Sequence, residues 1–356
     1  MDAGCGDRRL RRDLKSVEDL VFAGLVHAER SEVLQAVARR YAIGITATVA
    51  SQINGDDPSD PIAAQYIPSD LELREMPDEL TDPIGDHAHS PVPGIVHRYP
   101  DRVLLKIVGV CPVYCRFCFR REMVGPQGDG NLSGHELADA IAYIAETPEI
   151  WEVILTGGDP LILSPRRLKE VAVALSGIAH VKILRIHTRV PVVDPDRITL
   201  ELIEALKASG KTIYVALHAN HPREMTSDAM TALARLADAG IVLVSQSVLL
   251  KGVNDNAEIL ADLMRAFVAA RVKPYYLHHP DLAPGTSHFR LSIAEGQAIM
   301  RSLRSQLSGL CLPSYILDLP GGHGKVALGE DNVLRQEDGT YRILDRAGTE
   351  HRYRDS

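Results

Sequence analysis

The chain has 356 residues, 45% apolar and 24% charged, with a net charge of −8 and five cysteines. That length fits one large domain with an appendage, or two domains. The acidic balance argues against non-specific nucleic-acid binding, and no apolar run approaches the roughly 20 residues that a bilayer span needs. Met1 to Arg12 carry charges with no apolar run behind them, so no secretory signal is expected and the thiols point to a reducing cytoplasm.

Residues 1 to 95 read as an N-terminal extension. Val17–Val26 and Ser31–Ala42 have the spacing of two short helices, while Asp57–Pro61 and Asp82–Pro93 are rich in Pro and Asp and read as irregular. From Val103 the pattern changes to short apolar strands alternating with amphipathic helices. Strands are expected at Val103–Val110, Glu152–Leu155, Val181–Ile186, Thr212–Leu217, Ile241–Val248, Tyr275–Leu277 and Tyr315–Leu317. Helices are expected at Ser133–Ala145, Pro165–Leu175, Leu200–Ala208, Thr226–Ala239, Ala257–Ala269 and Ile293–Leu307. Ser133 with Glu136 three residues on forms a capping box at the first of these. Repeated βα units demand a parallel sheet with right-handed crossovers. The fold class is therefore α/β, a partial (β/α) TIM-like barrel over residues 96–320, with a helical extension before it and a short arm over 321–356. Chemistry in such barrels sits at the C-terminal ends of the strands.

The distinctive motifs fall there. Cys111, Cys115 and Cys118 follow the first strand with spacing C-x3-C-x2-C. Thiolates so close together in a cysteine-poor chain suggest a metal centre. A structural zinc site wants four ligands and no second C-x2-C completes one. A disulfide framework does not suit an odd cysteine count without a signal. Cys5 and Cys311 read as bystanders. Iron–sulfur cubanes are held by cysteine thiolates, normally four. Three would leave one iron open to a small molecule.

Thr156-Gly157-Gly158-Asp159-Pro160 ends the next strand. Its glycines allow close backbone approach, and Asp159 is a carboxylate able to accept from an ammonium; a tight βα turn is the plainer reading. Pro320-Gly321-Gly322-His323-Gly324-Lys325 fails the G-x4-GK[ST] spacing of a phosphate loop. A lysine there is either a solvated surface residue or the Schiff-base partner of an aldehyde cofactor such as pyridoxal phosphate (PLP). Arg98, Tyr99 and Arg102 make either a phosphate cradle or a surface charge cluster. Arg120 is placed to pair with a carboxylate, of a substrate or of an acidic neighbour. Asp281 and Asp318 follow two late strands and suit an ammonium. The His278-His279 pair lacks partners for a metal. His218 and Gln246 end two middle strands, as cofactor contacts or as polar barrel caps.

Taken together the motifs resemble the lysine 2,3-aminomutase family of PLP-dependent radical S-adenosylmethionine (SAM) enzymes. The resemblance runs from Ile95 to Lys325. It rests on RYPDR (98–102), CPVYCRFCFRR (111–121), TGGDPL (156–161), RIHTRVPVV (185–193), HANHP (218–222), QSVLLKGVND (246–255), YYLHHPDL (275–282), HFR (288–290) and DLPGGHGK (318–325). It implies a radical SAM barrel and conversion of L-lysine to β-lysine. It implies a [4Fe–4S] cluster on Cys111, Cys115 and Cys118, and SAM at Gly157, Gly158, Asp159, His218 and Gln246. It implies PLP on Lys325, with its phosphate at Arg98, Tyr99 and Arg102. Arg120 would take the substrate carboxylate, and Asp281 and Asp318 its distal ammonium. A flavodoxin or ferredoxin would donate the electron, and the family allows a homo-oligomer. Long-armed members build a zinc site from C-terminal cysteines; in this sequence no cysteine follows Cys311. The compact length and Ser90-Pro91-Val92-Pro93-Gly94 resemble the branch that isomerises lysine for elongation factor P, whereas DLPGGHGK is closer to the free-lysine mutases. A radical SAM protein without PLP chemistry is the alternative; Lys325 and the arginines favour the mutase.

Overall fold

The computed structural model describes residues 12–126, 128, 130–329, 333–337, 340–344 and 349–354. Cys5 lies outside them. Helix starts are set by side-chain caps. Ser133 closes its capping box with Glu136 at the head of Gly134–Glu146, and Ser292 does the same with Glu295 before Ile293–Gln306. Ser164, Thr199, Thr226 and Asn256 accept from first-turn amides of Pro165–Ser176, Leu200–Lys207, Ser227–Asp238 and Ala257–Ala269.

Between these helices run seven parallel strands, β2 (Arg102–Val108), β3 (Glu152–Gly157), β4 (Ile183–Thr188), β5 (Thr212–Leu217), β6 (Val242–Val248), β7 (Lys273–His278) and β8 (Ser314–Leu319). They sit in chain order within a nine-stranded sheet. Two antiparallel strands flank them, β1 (Ile95–Tyr99) before β2 and β9 (Gly324–Ala327) after β8. The sheet curls into a nearly closed barrel. Its two ends meet where the Tyr99 hydroxyl accepts from the Lys325 backbone N–H at 2.8 Å.

Strand periodicity separates the two faces. In β4, Leu184 and Ile186 are buried in the layer under the helices, while Arg185 and His187 line the barrel mouth. In β3, Val153 and Leu155 do the first and Ile154 and Thr156 the second. The inward face is therefore unusually polar near the strand ends.

Three elements differ from the sequence reading. Arg98 and Tyr99 lie on β1, not ahead of the first strand; with only Ile95 and Val96 buried, β1 is too short and polar to announce itself. Lys325 lies on β9 rather than on a loop, directly opposite Asp318, so the barrel sheet continues past residue 320. The first helix, α1 (Val17–Phe22), stops short of Val26, two residues before Gly24 turns left-handed at φ 74°. After Lys325 the described residues form a separate three-stranded antiparallel sheet, Val333–Arg335, Tyr341–Leu344 and Glu350–Tyr353.

The N-terminal extension shares one apolar core with the barrel: Leu14, Leu20, Leu34, Ile45 and Tyr66 are buried in it. Its role at the mouth is to hold the cysteine loop. Gly44 and Gln65 carbonyls accept from the backbone N–H groups of Tyr114 and Arg116, at 3.0 and 2.8 Å.

Candidate active site

The loop after β2 carries Cys111, Cys115 and Cys118, all free thiols. It is pinned from beneath by Arg116. That guanidinium is buried and donates to both oxygens of the buried Glu72, at 2.6 to 3.1 Å. Arg121 donates to the same carboxylate. Burial alone would raise the Glu72 carboxyl; Arg116 and Arg121 outweigh it and hold it down.

The glycine turn at the end of β3 docks on this loop. Gly158 N–H donates to Val108 O at 2.6 Å and Asp159 N–H to Val110 O at 3.1 Å. A Cβ on Gly158 would come within 2.1 Å of Val110 O, and Gly157 sits at φ 111°. Only glycine fits such an approach between two backbones. The Asp159 carboxylate, in turn, accepts from the Thr188 hydroxyl at 2.7 and 2.9 Å and from Arg189 N–H at 2.7 Å. It ties the end of β3 to the end of β4, and its own chain supplies those donors.

The thiols suit an iron–sulfur cluster. Burial pushes the Cys118 thiol up to about 11, and burial first also raises Cys111 and Cys115. Left alone such thiols stay neutral; bound metal deprotonates them outright. Among the described residues no three side chains converge on a single ion. A cubane asks for a different arrangement, since each thiolate takes its own iron.

Lys325 lines the same mouth. Its Nζ lies 2.6 and 2.5 Å from the two oxygens of Asp318. His278 Nδ1 is 3.3 Å from the same carboxylate. Burial would raise Asp318, but the His278 hydrogen bond and the Lys325 ammonium prevail and hold it well below the usual range. Asp281 goes the other way: burial, then the Asp318 anion, push it up to about 7. The turn before Lys325 is shaped by contact, since a Cβ on Gly322 would meet the His89 ring at 2.5 Å.

Arg98 and Arg120 meet at Asp86, which is wholly buried. Arg98 donates to Oδ1 at 3.1 Å and Arg120 Nε to Oδ2 at 2.9 Å. Arg98 Nε is buried without a partner among the described residues, a donor free for an anion. Arg102 lies over the Tyr99 ring, 3.7 Å from its centroid. These residues suit a phosphorylated aldehyde cofactor: guanidinium donors and a lysine amine line the same cavity.

His218 and Gln246 lie deeper. Gln246 Nε2 is 3.5 Å from His187 Nε2, and the His187 and His218 rings are 5.8 Å apart. Burial, then Arg189, pulls His218 down to about 3, so it is neutral at physiological pH.

All these groups line one cavity of about 240 Å³: Cys111, Cys115, Cys118, Gly157, Gly158, Asp159, His218, Gln246, Arg98, Tyr99, Arg102, Arg120, Asp281, Asp318 and Lys325. The structure thus brings together every candidate site residue that the sequence offered for cluster, cofactor or substrate. It adds Arg185, His187 and Arg189 to the lining, and Asp86 behind it. The first three lie in RIHTRVPVV, where a polar residue at every second position of an apolar strand was the available signal. Asp86 sits in a Pro- and Asp-rich stretch that gives none.

Known proteins resemble the chain over most of its length. Residues 105–264 match the Radical SAM superfamily. The L-lysine 2,3-aminomutase of Clostridium subterminale is 41% identical over 338 residues, 94% of this chain and 80% of that one. Its namesake in Acetoanaerobium sticklandii is 40% identical over 328 residues, 92% of this chain and 79% of its own. That of Escherichia coli is 38% identical over 297 residues, 83% of this chain and 85% of its own.

Proposed function

The chain belongs to the L-lysine 2,3-aminomutase family within the radical SAM superfamily, and from that premise we propose that it moves the α-amino group of L-lysine to the β-carbon. The observation that carries this reading is the shared cavity, lined both by the three cysteines and by the Lys325–Asp318 pair.

When bound, a [4Fe–4S] cluster with SAM would supply a hydrogen-abstracting radical, and PLP would supply an aldehyde that holds the amino nitrogen as an imine. Cys111, Cys115 and Cys118 hold the first, with the N-terminal extension fixing their loop. Gly157, Gly158, His218 and Gln246 line the SAM side, and Asp159 keeps the ends of β3 and β4 in place there. Lys325 anchors PLP covalently, and Arg98, Tyr99 and Arg102 take its phosphate. Arg120 takes the substrate carboxylate. Its geometry is set by Asp86 at Nε and by the Thr156 hydroxyl, 3.4 Å from Nη1, which leaves Nη2 for a ligand. Asp281 and Asp318 take the distal ammonium. Fixing both ends of the substrate places its β-hydrogen, the positioning on which an abstraction step depends.

Among the described residues no helix is long and apolar enough to cross a membrane. A cytoplasmic enzyme served by a flavodoxin- or ferredoxin-type donor fits three free thiols lining the cavity. Anaerobically reconstituted protein, given SAM, PLP, a reductant and L-lysine, is expected to form β-lysine. Fully loaded protein that leaves lysine untouched would refute the assignment.

A further inference from the structure

Resting on the reading of Cys111, Cys115 and Cys118 as cluster ligands, we propose that Arg189 is a positioning residue that raises the reduction potential of that cluster, and that Glu224 opposes it. Among the described residues Arg189 is the one guanidinium within hydrogen-bonding reach of a ligand sulfur: its Nη1 lies 3.4 Å from Cys115 Sγ. Every other contact holds it still. Nη2 donates to Glu224 Oε2 at 2.5 Å and to Gln65 Oε1 at 3.1 Å. The guanidinium carbon lies 5.4 Å from the Tyr66 ring centroid and 5.5 Å from that of Phe117. The backbone N–H is held by Asp159. Glu224 is itself fixed, accepting from Asn220 and His221 backbone N–H groups at 2.7 and 3.0 Å.

Both charged groups are almost fully buried, Arg189 at 8% and Glu224 at 2% exposure. Solvent therefore screens neither, and their fields reach the sulfur at close range. Reduction adds one electron, from a flavodoxin- or ferredoxin-type donor, to a cluster going from the 2+ to the 1+ state; no bond forms and no proton moves. The added negative charge is favoured by a fixed cation and by an N–H···S hydrogen bond, and disfavoured by a fixed anion. Arg189 touches the ligand and Glu224 touches Arg189, so the two should act with opposite sign. A merely structural pair would not behave so. Loss of either member would loosen the loop in the same way.

The experiment is a spectroelectrochemical titration of reconstituted wild type, Arg189→Gln, Arg189→Lys and Glu224→Gln, each first assayed for iron and sulfide. At the potential that half-reduces wild type, Arg189→Gln is expected to show a reduced-to-oxidised ratio lowered about tenfold, which is 59 mV for one electron. Glu224→Gln is expected to raise the ratio, and Arg189→Lys to fall between wild type and Arg189→Gln. Unchanged potentials in fully loaded variants, or shifts of one sign in Arg189→Gln and Glu224→Gln, would overturn the proposal. If Arg189→Gln does not load, Arg189→Lys and Glu224→Gln must still fall on opposite sides of wild type, or the proposal fails. Wild type that takes up no iron would instead overturn the cluster reading beneath it.

Discussion

Lys325 and Asp318 face each other across the antiparallel β8–β9 pair, with the lysine Nζ within 2.6 Å of both carboxylate oxygens. The carboxylate assigned to the substrate's distal ammonium is thus already holding a lysine ammonium, the protein's own. When Lys325 turns to the cofactor, Asp318 is left with an open place of the right charge and reach. We predict that Asp318→Asn lowers kcat/KM for lysine roughly tenfold to a hundredfold, the loss of a charge-assisted hydrogen bond of about 1.5–3 kcal/mol. Both KM and kcat should suffer if the contact also positions the β-hydrogen. Steady-state kinetics with lysine check this, and unchanged constants would remove Asp318 from the substrate site.

Substrate charge is a second test. Two carboxylates, Asp281 and Asp318, in the cavity that Arg120 also lines favour a cationic side chain. Glutamate would place like charges together in a poorly screened site, at a cost of several kcal/mol. Competition turnover should rank lysine far above glutamate, with arginine, longer and planar, between them.

Asp281 gives a pH dependence. Burial and the Asp318 anion push its carboxyl up to about 7, so below that pH it is protonated and neutral. A cation binds the ionised form. Lysine KM should therefore fall as pH rises toward about 7 and level off above it, since binding below that point must expel a proton. Asp281→Asn should flatten the profile. A break that persists in Asp281→Asn would assign the titration to another group.

Asp86 holds two guanidinium groups that are nearly or fully buried. Asp86→Asn strips the compensating charge from both, a class of change that costs about 3–5 kcal/mol. Denaturant unfolding should record that loss, and both PLP retention and lysine affinity should weaken together. Weakening of only one would separate the two arginines.

The cysteines invite an iron count. Reconstituted wild type should hold about four irons per chain, by the cluster type. Cys115→Ala should lose most of them. Cys311→Ala should lose none, because Cys311 is buried in the apolar core away from the mouth.

Much of this architecture was legible in the sequence because it rests on local rules. The strand Thr212–Leu217 and the helix Ala257–Ala269 fall where periodicity puts them, and the Ser133 capping box forms as written. The cysteine spacing and the glycine turns pointed to the mouth because chemistry and close backbone contact restrict residue choice there. Three things were not legible. The strand status of Lys325 depends on pairing with β8, and glycines hide it. Asp86 matters only because folding brings Arg98 and Arg120 to it from 12 and 34 residues away. The N-terminal extension read as helices without a task, whereas its Gly44, Gln65 and Glu72 fix the cysteine loop through long-range contacts that no period reports.

Nitrogen migration within one molecule is the central claim, and an isotope label tests it most directly. Reconstituted enzyme would be supplied with L-lysine carrying ¹⁵N at the α-amino group and ¹³C at the β-carbon, and the product read by NMR. The account predicts β-lysine with a one-bond ¹⁵N–¹³C coupling at the β-carbon. Label released as ammonia, or lysine recovered with its nitrogen in place by protein carrying cluster, SAM and PLP, would contradict it.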